Sequence, residues 1–200
     1  MDSNNIYPID SLLISKVEKE RLLGQIGSVF WLYGLSGSGK STLAIDLERR
    51  LHAKKIHSIL LDGDNLRSGL NQDLGFSQND RNENIRRVSE VAKLLVENGL
   101  IVIVSLITPL REFRDLAAKI IGESNFHEIF IKASFSVCQD RDVKGLYAKA
   151  ENGEVNTFTG KDSDFEEPVN GCLTINTEKE KPEDSSDKLF NYILESISPT

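Results

Sequence analysis

The chain has 200 residues and a formal net charge of −7, with 39% hydrophobic residues, 28% charged residues, three histidines and two cysteines. That length suits one domain with a single substantial core, and the acidic balance argues against a non-specific hold on nucleic acid or on an acidic membrane surface, both of which need a basic face. No stretch is apolar for long enough to cross a bilayer, none reads as a signal peptide, no segment repeats, and Cys138 and Cys172 have neither metal-ligand spacing nor a disulfide framework, which suits a reducing cytoplasm.

Residues 1–27 read as an N-terminal extension whose weakly amphipathic stretch at 10–23 predicts a helix outside the main body. The domain proper is expected over 28–200. Its first strand is the apolar run Ser28-Val-Phe-Trp-Leu-Tyr33, and residues 42–51 carry apolar side chains at helical spacing. Between them Gly34-Leu35-Ser36-Gly37-Ser38-Gly39-Lys40-Ser41, followed by Thr42, has the form G-x-x-x-x-G-K-[ST]. In such a phosphate-binding loop the glycines let successive N–H groups turn inward around a polyphosphate. The lysine reaches the β- and γ-phosphates and the serine hydroxyl ligates Mg²⁺. A strand before the loop and a helix after it aim a helix N-terminus at the anion. A Gly/Ser linker would not be framed in this way. A nucleoside triphosphate and Mg²⁺ are therefore the expected ligands of the loop.

A second strand at 56–61 ends in Asp62-Gly-Asp64-Asn65. Ser77-Gln-Asn-Asp80 reads as a capping box in which the Ser77 hydroxyl and the Asp80 carboxylate satisfy free N–H groups. The helix it opens runs through Ile85, Val88, Val91, Leu94 and Leu95 to Asn98-Gly99. Residues 100–104 form a continuous apolar run, hence a central strand buried on both faces. A helix at 111–121, a strand at 126–131 and a short helix at 137–142 follow. Residues from about 142 to 170 are polar and glycine-bearing, and are expected to form a mobile lid or substrate loop. A strand at 172–175 and a helix at 184–197 close the chain. Strands alternating with helices imply an α/β fold, a mostly parallel sheet flanked by helices on both faces, with ligands beyond the C-terminal strand ends. His52, His57 and His127 form no motif and read as surface or strand-edge residues.

The position of the acids narrows the chemistry. The most apolar strand ends in Ser105-Leu106-Ile107-Thr108-Pro109, without a carboxylate. The acids lie at the end of the second strand, as Asp62 and Asp64. A carboxylate there can accept a proton from an incoming hydroxyl or hold water on Mg²⁺, which suits a kinase whose acceptor shares the crevice. Turn chemistry and helix capping are the plainer reading of the same residues. No N-K-x-D stretch is present to read guanine. Among the nearby arginines, Arg67 and Arg81 stand nearest the strand ends and are better placed to grip an oxyanion than Arg86 or Arg87. Phe76 and Phe158 lie outside the expected core. Their pattern fits a base sandwich and lid-to-body closure equally well.

Taken together, Gly34–Thr42, Leu61-Asp-Gly-Asp-Asn65, Gly69-Leu-Asn71, Asp73-Leu-Gly-Phe-Ser77, Asp80-Arg-Asn-Glu-Asn-Ile-Arg-Arg-Val88, Arg141-Asp-Val-Lys-Gly-Leu-Tyr147 and Phe158-Thr-Gly160 resemble the adenylylsulfate kinase family of P-loop kinases. The resemblance runs in order from about Ser28 to Pro168. It implies transfer of the γ-phosphoryl group of MgATP to the 3′-hydroxyl of adenosine 5′-phosphosulfate, without nucleic-acid or membrane partners and as a homodimer. By position, it implies that residues 34–42 hold the ATP phosphates and that Arg141 lies against the ATP adenine. Asp64 would act on the 3′-hydroxyl and, with Ser41, hold the metal. Asp62, Arg67, Arg81, Asn84, Ile107 and Thr108 would line the acceptor site. Phe76 and Phe158 would clamp its base, and Lys144 would approach the transferring phosphate.

The chain departs from the family at Leu106-Ile107-Thr108-Pro109-Leu110. Thr108 stands where the family has a serine sometimes assigned as a phosphoacceptor. A threonine there weakens a covalent phosphoenzyme and favours direct transfer. Two alternatives stand beside this reading: a P-loop kinase for a different anionic nucleotide, and a non-catalytic nucleotide-sensing module. Lys40, Ser41 and Asp64 argue against the second, because a sensor has no need of an acceptor-side acid.

Overall fold

The computed structural model describes residues 7–142, 145–152, 159–160, 164–169 and 171–197. Lys144 and Phe158 lie outside the described residues, as does part of the expected lid. Five strands, β1 (Val29–Tyr33), β2 (Ser58–Asp62), β3 (Ile101–Ser105), β4 (Phe126–Lys132) and β5 (Leu173–Asn176), form one sheet in the order β2-β3-β1-β4-β5, parallel at every pairing. All five residues of β1 are fully buried, as the unbroken apolar run requires. The run at 101–105 is buried too, but β1 holds the centre of the sheet.

Side chains alternate across that sheet. Val29, Trp31 and Tyr33 face a core shared with α4 (Gln78–Val96) and α5 (Arg111–Ile121). Phe30 and Leu32 face a second core shared with α2 (Lys40–Ala53) and α8 (Pro182–Ile197). Because β3 and β4 flank β1 on opposite sides, the chain changes direction across the sheet at the C-terminal end of β1. That is where parallel sheets open a ligand crevice.

The N-terminal segment differs from the expected helix at 10–23. A single 3-10 turn (Asp10–Leu12) precedes α1 (Lys16–Leu23). Ser15 starts α1 because Ser15 and Glu18 form a full capping box, each side chain taking the other's backbone N–H. No residue of α1 is buried, and the segment docks through polar contacts. Lys16 Nζ donates to Gly27 O (3.0 Å) and Asn125 Oδ1 (2.8 Å). Buried Gln25 donates to His57 O and Gly99 O, both at 2.9 Å, and accepts from His57 N. These contacts hold the segment at the N-terminal strand ends, away from the crevice.

At Ser77 the cap is simpler than expected. Ser77 Oγ accepts from Asp80 N (3.2 Å), and the Asp80 carboxylate accepts from the Ser77 hydroxyl (2.7 Å) rather than from a backbone N–H. Aspartate is one methylene shorter than the glutamate that reaches back in a full box. Of the turn and helix-cap reading of residues 62–65, the cap is what forms: Asp62 caps a short helix, α3 (Gly63–Arg67). The short helix expected at 137–142 is α6 (Phe135–Arg141), started by Ser134. Among its described residues, the segment expected as a lid contains a helix, α7 (Leu146–Glu151).

Candidate active site

The phosphate loop leaves β1 at Gly34 and enters α2 at Lys40. Gly34 and Gly37 are required there. A Cβ on Gly34 would meet Ile131 O at 2.3 Å. One on Gly37 (φ +78°) would meet Cys138 O at 2.8 Å. Three successive carbonyls of the loop are held by side chains. Tyr147 Oη donates to Ser36 O (2.8 Å), Arg141 Nη1 to Gly37 O (3.2 Å) and Thr177 Oγ1 to Ser38 O (2.8 Å). Tethering those oxygens fixes the peptide planes of the loop. A phosphate-cradling nest depends on that fixity. Lys40, almost buried, donates from Nζ to Gly34 O (2.9 Å) and Leu35 O (2.7 Å), so its charge lies across the loop. Ser38 Oγ is buried and has no hydrogen-bond partner among the described residues.

Pairing of Asp62 with Ser105 across β2 and β3 sets both at the level of the loop. The acid that meets Ser41 is Asp62: Ser41 Oγ donates to Asp62 Oδ2 (2.9 Å) and stands 3.4 Å from Ser105 Oγ. The other Asp62 oxygen accepts from Asp64 N (3.1 Å), which sets the start of α3. The resemblance puts Ser41 and Asp64 together on the metal; the side chain that Ser41 contacts directly is Asp62. Asp64 lines the same crevice beside it.

Beyond the acids the crevice, about 710 Å³, is walled by Arg67, Phe76, Arg81 and Asn84 on one side and Ile107 and Thr108 on another. The volume is in the upper part of the range usual for small-molecule sites, roughly 300–1,000 Å³. The Arg67 guanidinium lies 4.4 Å over the Phe76 ring and donates to Leu74 O and Gly75 O. Arg81 donates from Nε to Phe76 O (3.0 Å) and from Nη1 to Thr159 Oγ1 (2.7 Å). The two arginines thus hold the 74–76 loop that presents Phe76, whose side chain is 61% exposed. Burial disfavours the charged form of both, and for Arg81 the nearby Arg67 adds to it. A half-buried pair of like charges gains from an anion placed between or beside them.

Asn84 is oriented by a residue given no role in the sequence reading. Buried Asn71 donates from Nδ2 to Asn84 Oδ1 (3.0 Å), which turns the Asn84 amide nitrogen away from Asn71. Arg86 and Arg87, by contrast, serve the outer face of α4. Both bind Glu83, and Arg87 also grips Asp73 through two hydrogen bonds. The Arg86 and Arg87 hydrogen bonds pull the Glu83 carboxyl down to about 2.

Thr108 is placed unexpectedly. It is 2% exposed with φ +41°, and Trp31 Nε1 donates to its hydroxyl (2.9 Å), so the hydroxyl is turned into the sheet. Ile107 is tied to the phosphate loop, its carbonyl accepting from Gly34 N (3.3 Å). Leu106 is buried and fills the space a Cβ on Gly63 would need. Tyr147 and Asn71 fall within the sequence blocks that carry the family resemblance, so a signal for them existed. Thr177, from the loop after β5, had none. Among the described residues no three or more His, Cys, Asp or Glu side chains cluster to hold a metal, and no helix is long and apolar enough to cross a membrane.

A family model described as adenylylsulphate kinase matches residues 26–176. The chain is 50% identical over 194 residues to an adenylyl-sulfate kinase of Phocaeicola vulgatus, covering 97% of this chain and 95% of that protein. It is 47% identical to an adenylyl-sulfate kinase of Bacteroides fragilis, covering 98% of each. Among solved structures, the Mycobacterium tuberculosis APS kinase in complex with AMPPNP and APS is similar, at 47% identity and a TM-score of 0.77, over 82% of this chain and 95% of that one.

Proposed function

Since the chain belongs to the adenylylsulfate kinase family and catalyses ATP-dependent phosphorylation of adenosine 5′-phosphosulfate, we propose that the crevice at the C-terminal ends of β1, β2 and β3 seats both nucleotides and directs the γ-phosphoryl group of MgATP to the 3′-hydroxyl. The products are 3′-phosphoadenosine 5′-phosphosulfate and ADP. The observation that carries this reading is the convergence of Ser41 on Asp62, with Asp64, Arg67, Phe76, Arg81 and Asn84 around the same cavity.

In this reading residues 34–42 hold the ATP phosphates and Arg141 borders the ATP adenine. Lys40 leaves the Gly34 and Leu35 carbonyls to meet the β- and γ-phosphates. Ser41, Asp62 and Asp64 offer the hard oxygen donors Mg²⁺ prefers, directly or through water. When bound, that ion would neutralise the charge that develops on the phosphates. Asp64 orients the 3′-hydroxyl and takes its proton. Arg67 and Arg81 hold the anionic part of the acceptor, Asn84 reads its polar edge, and Phe76 stacks on its base. The family resemblance assigns Phe158 and Lys144 to the other face of that base and to the transferring phosphate. Catalysis is then positioning plus electrostatics, since phosphoryl transfer leaves the protein little covalent chemistry to do. With its hydroxyl bonded to Trp31, Thr108 acts through its backbone, and the phosphoryl group passes directly between nucleotides.

Residues 28–200 constitute the catalytic unit and 1–27 an extension. The exposed apolar side chains of that extension, such as Leu12 at 81% and Leu22 at 86%, support burial in a homodimer. Two free cysteines suit a cytoplasmic setting. A coupled ADP-release assay with and without adenosine 5′-phosphosulfate tests the site. Asp64→Ala is expected to lower turnover by at least about a hundredfold while ATP affinity stays within about threefold. A variant that turns over normally removes Asp64 from the mechanism. A tenfold preference in kcat/KM for another nucleotide reassigns the acceptor.

A further inference from the structure

Arg114 lies on α5, outside the residues assigned to either nucleotide, yet its side chain is 2% exposed. A buried guanidinium is tolerated only where its charge is balanced and its donors are used. Its Nε meets the Glu128 carboxylate of β4 at 2.9 Å, and its plane lies 4.6 Å over the Tyr33 ring at the end of β1. Three further donors go to loop backbone. Nη1 donates to Thr108 O (3.2 Å) and Pro109 O (3.3 Å), and Nη2 to Glu166 O (3.0 Å). Glu166 closes the arrangement from the other side. Its N–H donates to Pro109 O (2.9 Å), and its carboxylate accepts from Arg111 N (2.5 Å).

These contacts converge on a strained residue. Thr108 is β-branched and sits at φ +41°, a conformation that is disfavoured for such a residue and persists only when its surroundings impose it. On the crevice side Thr108 and Pro109 form wall, and on the sheet side the Thr108 hydroxyl receives Trp31 Nε1. Arg114 is the charged group that grips both carbonyls of the turn and also the 166 carbonyl.

We propose that Arg114 is a positioning residue for phosphoryl transfer: it holds Thr108–Pro109 in the strained shape that forms the acceptor-side wall, and it pins residue 166 to the back of that wall. It touches no reacting atom. The inference rests on the reading that the acceptor lies along the 106–109 loop.

The test uses the full-length protein and a cycle of Arg114→Lys, Thr108→Gly and the double variant. Lysine keeps a charge opposite Glu128 but cannot span three carbonyls. Glycine adopts positive φ without strain. Arg114→Lys is expected to raise KM for adenosine 5′-phosphosulfate about tenfold while KM for ATP changes less than about twofold. In the Thr108→Gly background the Arg114→Lys penalty should shrink to about threefold or less. Trp31, the single tryptophan, reports the turn directly, so its emission should change in Arg114→Lys. Equal rises in both KM values, or a penalty undiminished by Thr108→Gly, would overturn the proposal. Should Arg114→Lys fail to fold, exposed Glu166→Ala removes the Arg111 contact alone and must raise the acceptor KM selectively. An unchanged acceptor KM there counts against the proposal equally. A change in Trp31 emission without any effect on acceptor KM would instead mean that the wall is held as described but the acceptor binds elsewhere.

Discussion

Phe76 and Thr108 show how far a residue's surroundings can redirect what its type implies. From pattern alone Phe76 could close hydrophobic surface or stack on a base. In the structure it is 61% exposed, backed by the Arg67 guanidinium and held by a loop that both arginines grip. A ring kept in solvent by polar tethers is poorly used as core. Stacking on a base contributes about 1–3 kcal/mol, so Phe76→Ala should raise the acceptor KM by roughly tenfold or more and leave KM for ATP nearly unchanged. Steady-state kinetics with each substrate varied in turn would decide it, and parallel rises would return the ring to a structural role. Thr108 went the other way. The sequence already argued against its hydroxyl as a phosphoacceptor; that hydroxyl accepts from Trp31 Nε1, and the residue lines the crevice with a strained backbone.

At the scale of elements, the phosphate loop works because three different elements hold its outer side. Tyr147 from α7, Arg141 from α6 and Thr177 beyond β5 each tether one carbonyl. The space behind the loop is consumed by this packing, and Gly37 lies against Cys138. Gly37→Ala would add both a left-handed penalty of about 1–2 kcal/mol and a collision with the Cys138 carbonyl. We expect KM for ATP to rise at least about tenfold while far-ultraviolet circular dichroism is unchanged. Wild-type ATP kinetics in that variant would mean that the loop can move off α6 without loss.

Across the whole molecule, stability should depend on pH through His127. The imidazole stacks on Phe30 at 4.8 Å, and its Nδ1 lies 3.3 Å from the Tyr192 hydroxyl of α8. Arg114, Asp115, Glu123 and Glu128 border the adjoining surface cavity. Burial lowers the proton affinity of His127 in the folded state. The unfolded chain therefore binds more protons as pH drops below the ordinary imidazole range. The stabilisation is complete above that range and is lost as pH falls toward the lower folded value. Urea unfolding followed from roughly pH 7 to 5 should give a falling midpoint, and His127→Phe should flatten that part of the profile. An identical slope in the variant would assign the dependence to other groups.

The five strands, the longer helices of the main body, their order and the phosphate loop were legible in the sequence because each rests on local chemistry: apolar runs, helical spacing, caps and glycines that act within a few residues of themselves. Ser15 and Glu18 carried such a signal as well, and set the start of α1 six residues later than the broad apolar pattern implied. What only the tertiary structure decided are pairings between distant segments. These include Asp62 against Ser41, Asn71 turning Asn84, Thr177 on the phosphate loop, and Arg114 joining β1, β4, α5 and residue 166. The reason is physical. A local pattern sets which backbone conformation a segment prefers, whereas the partner of a long polar side chain depends on which strands become neighbours and on the desolvation that their packing imposes.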